Sequence, residues 1–181
     1  RLERILLVGL GKAADIKELD MQSLGGRIYA DTYQGTKGTV SVAVDAVPES
    51  KMTAAGMAAQ MAYGARLRSY RFDKYKTKPK PSDSPSIKMI TFHCIGFSNA
   101  RSTFRVLDKI ADGVFFTRDL VSEPPNVLYP DSFAKQASLL EKLGVKVEVF
   151  GERQMLRLGM GALLGVGQGS IRESKMVVMH W

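Results

Sequence analysis

The side chains and spacings that could do chemistry lie at four places. Gly9, Gly11 and Ala14 follow an apolar run at G-x-G-x-x-G/A spacing, with Asp31 downstream. In dinucleotide-binding proteins such glycines let backbone N–H groups face a pyrophosphate, and the acid holds a ribose. Here Lys12 replaces the usual small residue inside the loop, and Asp31 falls in a helical stretch instead of ending a second strand. Lys12 does not make a P-loop either, because the G-x-x-x-x-G-K-[ST] spacing is absent. A glycine-rich turn without a ligand is preferred, with a nucleotide-binding α/β module as an alternative.

His93 and Cys94 are adjacent soft metal ligands. On a strand, neighbours point to opposite faces, so the two do not grip one ion. His180 is the one further histidine, which leaves a zinc site short of ligands. Core packing is the expected role of the pair. No G-x-S-x-G elbow occurs and neither histidine has an identifiable partner, so no nucleophile is assigned. GVGQGS, Gly165 to Ser170, resembles a phosphate loop only superficially, since no helix is expected after it.

The third place is a basic segment. Formal net charge is +8 over 181 residues, and most of it sits between Arg66 and Lys88. Arg66, Arg68, Arg71, Lys74, Lys76, Lys78, Lys80 and Lys88 face only Asp73 and Asp83 there. Tyr63, Tyr70, Phe72 and Tyr75 interleave with these charges, a pattern that could stack bases and neutralise phosphates. The plainer reading is preferred: a helix end whose aromatics enter the core while its lysines stay wet. A basic nucleic-acid-binding module is the second alternative.

The fourth is RDLVSEPPNVLYPDSF, Arg118 to Phe133, whose acids, asparagine and hydroxyls could serve a catalytic loop. Its prolines argue for punctuation. Pro124 should end the preceding helix near Ser122 or Glu123, Pro125 holds the chain extended, and Pro130 suits the first turn of a new helix.

The elements around these places alternate apolar β-like runs with helical patterns, as in an α/β domain. RILLVGL is expected as a buried opening strand. A helix follows with Ile16, Leu19, Leu24 and Ile28 on its apolar side; Gly25 and Gly26 each cost it about 1 kcal/mol, which suggests close packing. TVSVAVDAV, Thr39 to Val47, reads as a strand ended by Pro48. Glu49 to about Phe72 should be a long helix, with Gly56 and Gly64 admitting a close neighbour. KTKPKPSDSPS, Lys76 to Ser86, has no apolar residue and should be a solvated loop. IKMITFHCIG resumes as a strand. Val106, Leu107, Ile110, Ala111, Val114 and Val121 recur at helical spacing between Arg101 and Ser122. The helix after Pro130 should run to Leu143 and end at Gly144, followed by the strand VKVEVF. Glu152 to Leu158 reads as a short helix; GMGALLGVGQGS and KMVVMHW read as two further β-like runs.

A hydrophobic content of 45% in 181 residues fits a globular chain of one domain, or one domain with part of another. The apolar runs are shorter than the roughly 20 residues of a membrane span. RLERILLVG lacks a small-residue cleavage site, so no secretory signal is expected. The single cysteine excludes an internal disulfide framework and fits a reducing compartment. Cytoplasmic localisation is the expectation.

RDLVSEPPNVLYPDSFAKQA, followed by LGVKVEVFGERQMLRLGMGALLGVGQGS and KMVVMHW, closely resembles the leucyl aminopeptidase (cytosol aminopeptidase) family. RILLVGLGK, the LGG of Leu24 to Gly26, and FDKYKTK from Phe72 to Lys78 resemble the same family's amino-terminal domain. Tyr129 departs from the pattern, in which threonine or serine often precedes the proline; a side-chain N-cap worth about 1 kcal/mol is lost there.

The resemblance implies an α/β fold. A mixed sheet flanked by helices forms an amino-terminal domain, residues 1–116 and missing its start. Residues 117–181 are the joining segment and the first strands of an α/β metallopeptidase domain. It implies a hexameric aminopeptidase that removes amino-terminal residues such as leucine from peptides. Two divalent ions, zinc or manganese, would activate a bridging water and polarise the scissile carbonyl. The family's ligands lie in a lysine-bearing D-T/S-G-G segment and an N-T-D-A-E-G-R segment, neither of which occurs in this sequence. No catalytic, metal or substrate-binding residue is therefore assigned, no ion is expected on this chain, and the chain alone is expected to be inactive. Both ends are expected to be cut, given Arg1 at the start and a strand pattern at the finish. Neither a membrane nor nucleic acid is an expected partner.

Overall fold

The computed structural model describes residues 4–34, 38–78, 80 and 84–181. They fall into two compact units, Arg1–Thr117 and Arg118–Trp181.

The first unit begins without the expected strand. Residues 4–10 join no ladder, and Ile5 and Leu7 are 73% and 91% exposed. A short apolar run becomes a strand only where an edge accepts its N–H and C=O groups and something covers its faces. The sheet that forms here does not reach it. Gly11 turns the chain at φ 77, a 3-10 turn spans Ala13–Asp15, and α1 follows over Glu18–Thr32.

Strand β1 (Gly38–Val44) pairs in parallel with β2 (Ile87–Cys94). Helix α2, Ala54–Arg68, lies between them in sequence, giving a β-α-β unit. It starts later than the periodicity predicts. Pro48 and Glu49, the latter at φ 66, make a turn first, and the helix waits for Thr53, whose Oγ1 accepts from the Gly56 N–H at 3.1 Å. It ends at Arg68, short of the expected Phe72, where the Ser69 hydroxyl donates to the Arg66 carbonyl at 2.7 Å.

The core of this unit is the packing of α1 on α2. Ile16, Met21, Leu24 and Ile28 meet Ala54, Met57, Ala58 and Met61, with Val44 from the sheet below. Leu19 departs from the expected stripe and is 72% exposed. Two glycines allow the contact. A Cβ on Gly25 would lie 1.9 Å from the Met61 carbonyl oxygen, and one on Gly64 would lie 1.9 Å from that of Gln22. The two backbones touch reciprocally, so the helical cost of each glycine is offset by contact area no larger residue permits. Gly26 and Gly56 make no such approach; the nearest atoms to a Cβ there are 3.7 and 3.3 Å away, the latter being the capping Thr53 hydroxyl.

Helix α3, Phe97–Ser122, runs from the first unit into the second. It stops where Pro124 requires. Helix α4, Pro130–Ser138, continues as a 3-10 turn over Leu139–Leu143 and ends on Gly144 at φ 91. Strand β3 (Lys146–Phe150) pairs antiparallel with β4 (Met176–His180). Between them lie α5 (Glu152–Arg157) and α6 (Gly161–Gly167). The last of these corrects the sequence reading, which takes GMGALLGVGQGS for a β-like run. The apolar residues of so short a run fit either period, and no strand offers Leu163 or Val166 a ladder.

Candidate functional site

Each chemistry-bearing group can now be placed. Gly9 and Gly11 do not follow a strand, and the 3-10 turn at Ala13–Asp15 separates them from α1. Asp31 sits exposed within α1. The strand–turn–helix context that aims N–H groups at a pyrophosphate is missing among the described residues, so the nucleotide reading is not favoured.

On β2, His93 stands opposite Ala43 and Cys94 opposite Val44. Cys94 is half-buried and packs against the core. His93 is exposed, which corrects the expectation that both pack inside: alternation can bury only one of two neighbours on a strand covered on one face. His180 lies on β4 opposite Lys146. Among the described residues no group of three or more His, Cys, Asp or Glu side chains could hold a metal ion.

The basic segment is mostly engaged in holding the first unit together. Arg66 sends Nε to Asp108 at 3.0 Å and an η nitrogen to Asp112 at 3.1 Å, and its guanidinium lies 4.6 Å from the centre of the Phe115 ring. One side chain thus grips successive turns of α3. Lys109 also meets Asp112 at 2.9 Å. The Lys109 hydrogen bond, with Arg66 behind it, holds the Asp112 carboxyl below its ordinary range. Arg71 meets one Asp73 oxygen at 2.6 Å, while Lys76 takes the other at 2.8 Å. Both lower the Asp73 pKa, Lys76 the more. Arg71 also donates to the Tyr33 hydroxyl, and Ser86 donates to the Tyr33 carbonyl at 3.0 Å. Both ends of the loop between α2 and β2 are thereby tied to the end of α1. Pro79, Pro81, Ser82 and Asp83, part of the predicted solvated loop, lie outside the described residues.

Of the interleaved aromatics, Tyr63 is buried and Tyr70 and Phe72 are half-buried, as expected of a helix end that feeds the core. Tyr75 is 49% exposed; it lies beyond the helix, with Phe72 and the Lys74 ammonium against its ring.

The proline-rich stretch is folded by hydrogen bonds between its own backbone and the Ser132 hydroxyl. Val127 and Leu128 both donate to the Pro124 carbonyl at 2.9 Å. The Tyr129 N–H donates to the Ser132 hydroxyl at 2.9 Å, and that hydroxyl donates to the Val127 and Tyr129 carbonyls. Tyr129 makes no side-chain cap. Asp131 is paired with Lys135 at 2.7 Å, which lowers its pKa. These contacts stop one helix and start another.

Sequence reading missed two sets of partners. Asp108 and Asp112, one turn apart on α3, were a visible signal for a cation. Around Tyr129 no local signal existed. Arg172 lies 3.9 Å from that ring's centre, the Ser174 N–H donates to Glu152 at 2.8 Å, and Lys175 meets Glu173 at 2.7 Å.

A groove of about 520 Å³ lies in the first unit, among α2, β2 and the start of α3. Its walls are mainly apolar, Ala58, Ala62, Phe92 and Phe104 among them.

A parallel β-α-β unit, a long helix stopped by prolines, and an antiparallel strand pair define an α/β protein, with Arg66 and Arg71 spent on contacts inside its first unit. Residues 1–79 match the Cytosol aminopeptidase family, N-terminal domain, and residues 115–181 match the Cytosol aminopeptidase family, catalytic domain. The chain belongs to the cytosol aminopeptidase family. It is 45% identical over 181 residues to a probable cytosol aminopeptidase of Bradyrhizobium sp. (strain BTAi1), covering 100% of this chain and 36% of the relative. It is 46% identical over 180 residues to one of Afipia carboxidovorans, covering 98% and 35%. The chain thus spans about a third of the length of the curated relatives it matches. Two solved structures share its fold. The bottromycin maturation enzyme BotP in complex with Mn gives a TM-score of 0.75 at 24% identity, covering 95% of this chain and 35% of that one. A tomato leucine aminopeptidase mutant gives 0.77 at 19%, covering 89% and 32%.

Proposed function

We propose that this chain is the non-catalytic amino-terminal part, and the opening of the catalytic part, of a metal-dependent aminopeptidase that removes residues such as leucine from the amino termini of peptides. The observation that carries the reading is the order of two domain matches of one family on a single chain. The domain boundary between residues 116 and 117 belongs to this reading. A division into compact units after Thr117 and a catalytic-domain match beginning at residue 115 support it.

The reading includes two divalent ions, zinc or manganese, which would polarise the scissile carbonyl and activate water. The residues described here do not fit them: no cluster of three acidic, histidine or cysteine side chains is present among them. No step of hydrolysis is assigned to this chain. A hexamer in the cytoplasm completes the proposal; relatives named cytosol aminopeptidase support the location. Among the described residues no helix is long and apolar enough to cross a membrane.

The test compares the intact protein with the 181-residue chain on a leucine amide substrate, before and after chelation and after return of zinc or manganese. The intact protein should lose activity to chelator and regain it with metal, sedimenting as a hexamer. The short chain should be inactive throughout. Turnover by the short chain, or none by the intact protein with either ion, would sink the proposal.

A further inference from the structure

The groove in the first unit has a composition that selects a ligand class. Ala62 of α2, Ile90 and Phe92 of β2 and Phe104 of α3 give it apolar walls, and its volume of about 520 Å³ falls within the range of roughly 300–1,000 Å³ typical of small-molecule sites. Lys88 and Arg101 also line it and are exposed. Neither has an ion-pair or hydrogen-bond partner among the described residues. Arg66, the remaining cation on the lining, already holds Asp108 and Asp112. No acidic side chain lines the groove. Apolar walls beside two uncompensated cations complement a molecule with an apolar body and one negative end.

We propose that this groove binds a medium-chain carboxylate, its chain along Ala62, Phe92 and Phe104 and its carboxylate toward Lys88 and Arg101. The charge balance distinguishes this ligand from a neutral one: with no acid on the lining, a carboxylate meets attraction without an opposing charge. The inference stands apart from the peptidase reading, because none of these residues belongs to a proposed reaction step.

The experiment is isothermal titration of the intact protein with decanoate, kept below its aggregation concentration, alongside decanol as the uncharged probe. Saturable binding of one decanoate per chain is expected, weakening as salt is raised because the cations are exposed. The double variant K88E/R101E should weaken decanoate by at least about fivefold, the scale of one or two exposed ion pairs, and leave decanol unchanged. Ala62→Trp should abolish both. Should that variant unfold, the charge-reversal pair decides alone, since both its positions are exposed. The proposal is overturned if decanoate does not saturate, if decanol binds as tightly as decanoate, or if the charge reversal leaves decanoate affinity intact. Leucine amide hydrolysis by K88E/R101E should match the unaltered protein, so a failed peptidase reading and a failed groove reading give different results.

Discussion

The two units use the same alternation of helix and strand to different ends. In Arg1–Thr117, α1 and α2 meet backbone to backbone and enclose Met21 and Met57 almost completely. In Arg118–Trp181, the buried hydrophobic side chains among the described residues are Ala134, Ala137 and Met155, whereas Val166, Ile171 and Trp181 are 87%, 101% and 96% exposed. Patterning alone therefore does not make a core. In the first unit α1 and α2 bury their facing apolar sides against each other, although Ile5, Leu7, Ile95 and Phe97 stay exposed there; the second buries only a few side chains for its size. Burial is the larger source of stability, so the first unit should resist perturbation of its surface and fail at its helix contact. The second should depend on its few buried groups and on its turns.

The sharpest way to break this contrast is Gly25→Val. Its Cβ would fall on the Met61 carbonyl, and backbone cannot yield as a flexible side chain does; a loss of about 3 kcal/mol or more is expected, beyond ordinary overpacking. Gly165→Ala in α6, where a Cβ meets nothing within 4 Å, should instead be neutral or stabilising by about 0.5–1 kcal/mol. Thermal unfolding of the two variants compares the units directly, and equal losses would end the comparison.

Next in size, Met155→Ala removes the large, fully buried side chain of the second unit. A cost of about 2 kcal/mol, the lower end for such truncations, is expected because the unit buries few other large apolar side chains and can relax around the gap. Amide exchange should speed up in β3 and α5 while α1 and α2 keep their protection; faster exchange throughout would mean the units unfold as one.

Replacing Pro124 and Pro125 together by alanine should cost about 0.4–1 kcal/mol for each, chiefly by freeing the unfolded chain. In the hexameric metalloenzyme proposed above, the change should lower the melting temperature and loosen the assembly before it alters metal content. Loss of metal with an unchanged hexamer and melting temperature would make the stretch part of the active site.

The smallest effect is a pH dependence. Asp73, held by Lys76 and then Arg71, has its folded pKa depressed below the ordinary 3.8. Its contribution to stability is therefore fully present above that ordinary value and is lost as pH falls through the depressed one. Asp73→Asn should remove a small part of the acid-side slope of the unfolding profile and leave the neutral-pH exchange of the second unit unchanged. An unaltered slope would show that the exposed network carries no linkage.

How much of this was legible beforehand depends on the range of the forces involved. The stop at Ser122, the start at Pro130 and the left-handed Gly144 follow from proline and glycine stereochemistry, which acts within a residue or two. The valine alternation of β1 and the alanine-rich α2 were equally plain. RILLVGL and GMGALLGVGQGS read as strand-like because an apolar run of such length states that it can be buried, not by what. Exposed His93 and Leu19 failed for the same reason: periodicity marks a face and leaves its cover unspecified. The partners of Arg66 had to be seen in three dimensions.

By itself, then, the sequence determined where α3 stops and α4 starts, that Gly144 ends the turn after α4, and to which family the chain belongs, since each of these is written in residue types at short, fixed spacings. Tertiary structure alone decided that Gly25 meets the Met61 carbonyl and Gly64 that of Gln22, and that Arg66 closes on Asp108 and Asp112. Those partners are dozens of residues apart. Contacts at that separation depend on loop closure and on the summed burial of a whole layer, and no short spacing encodes either.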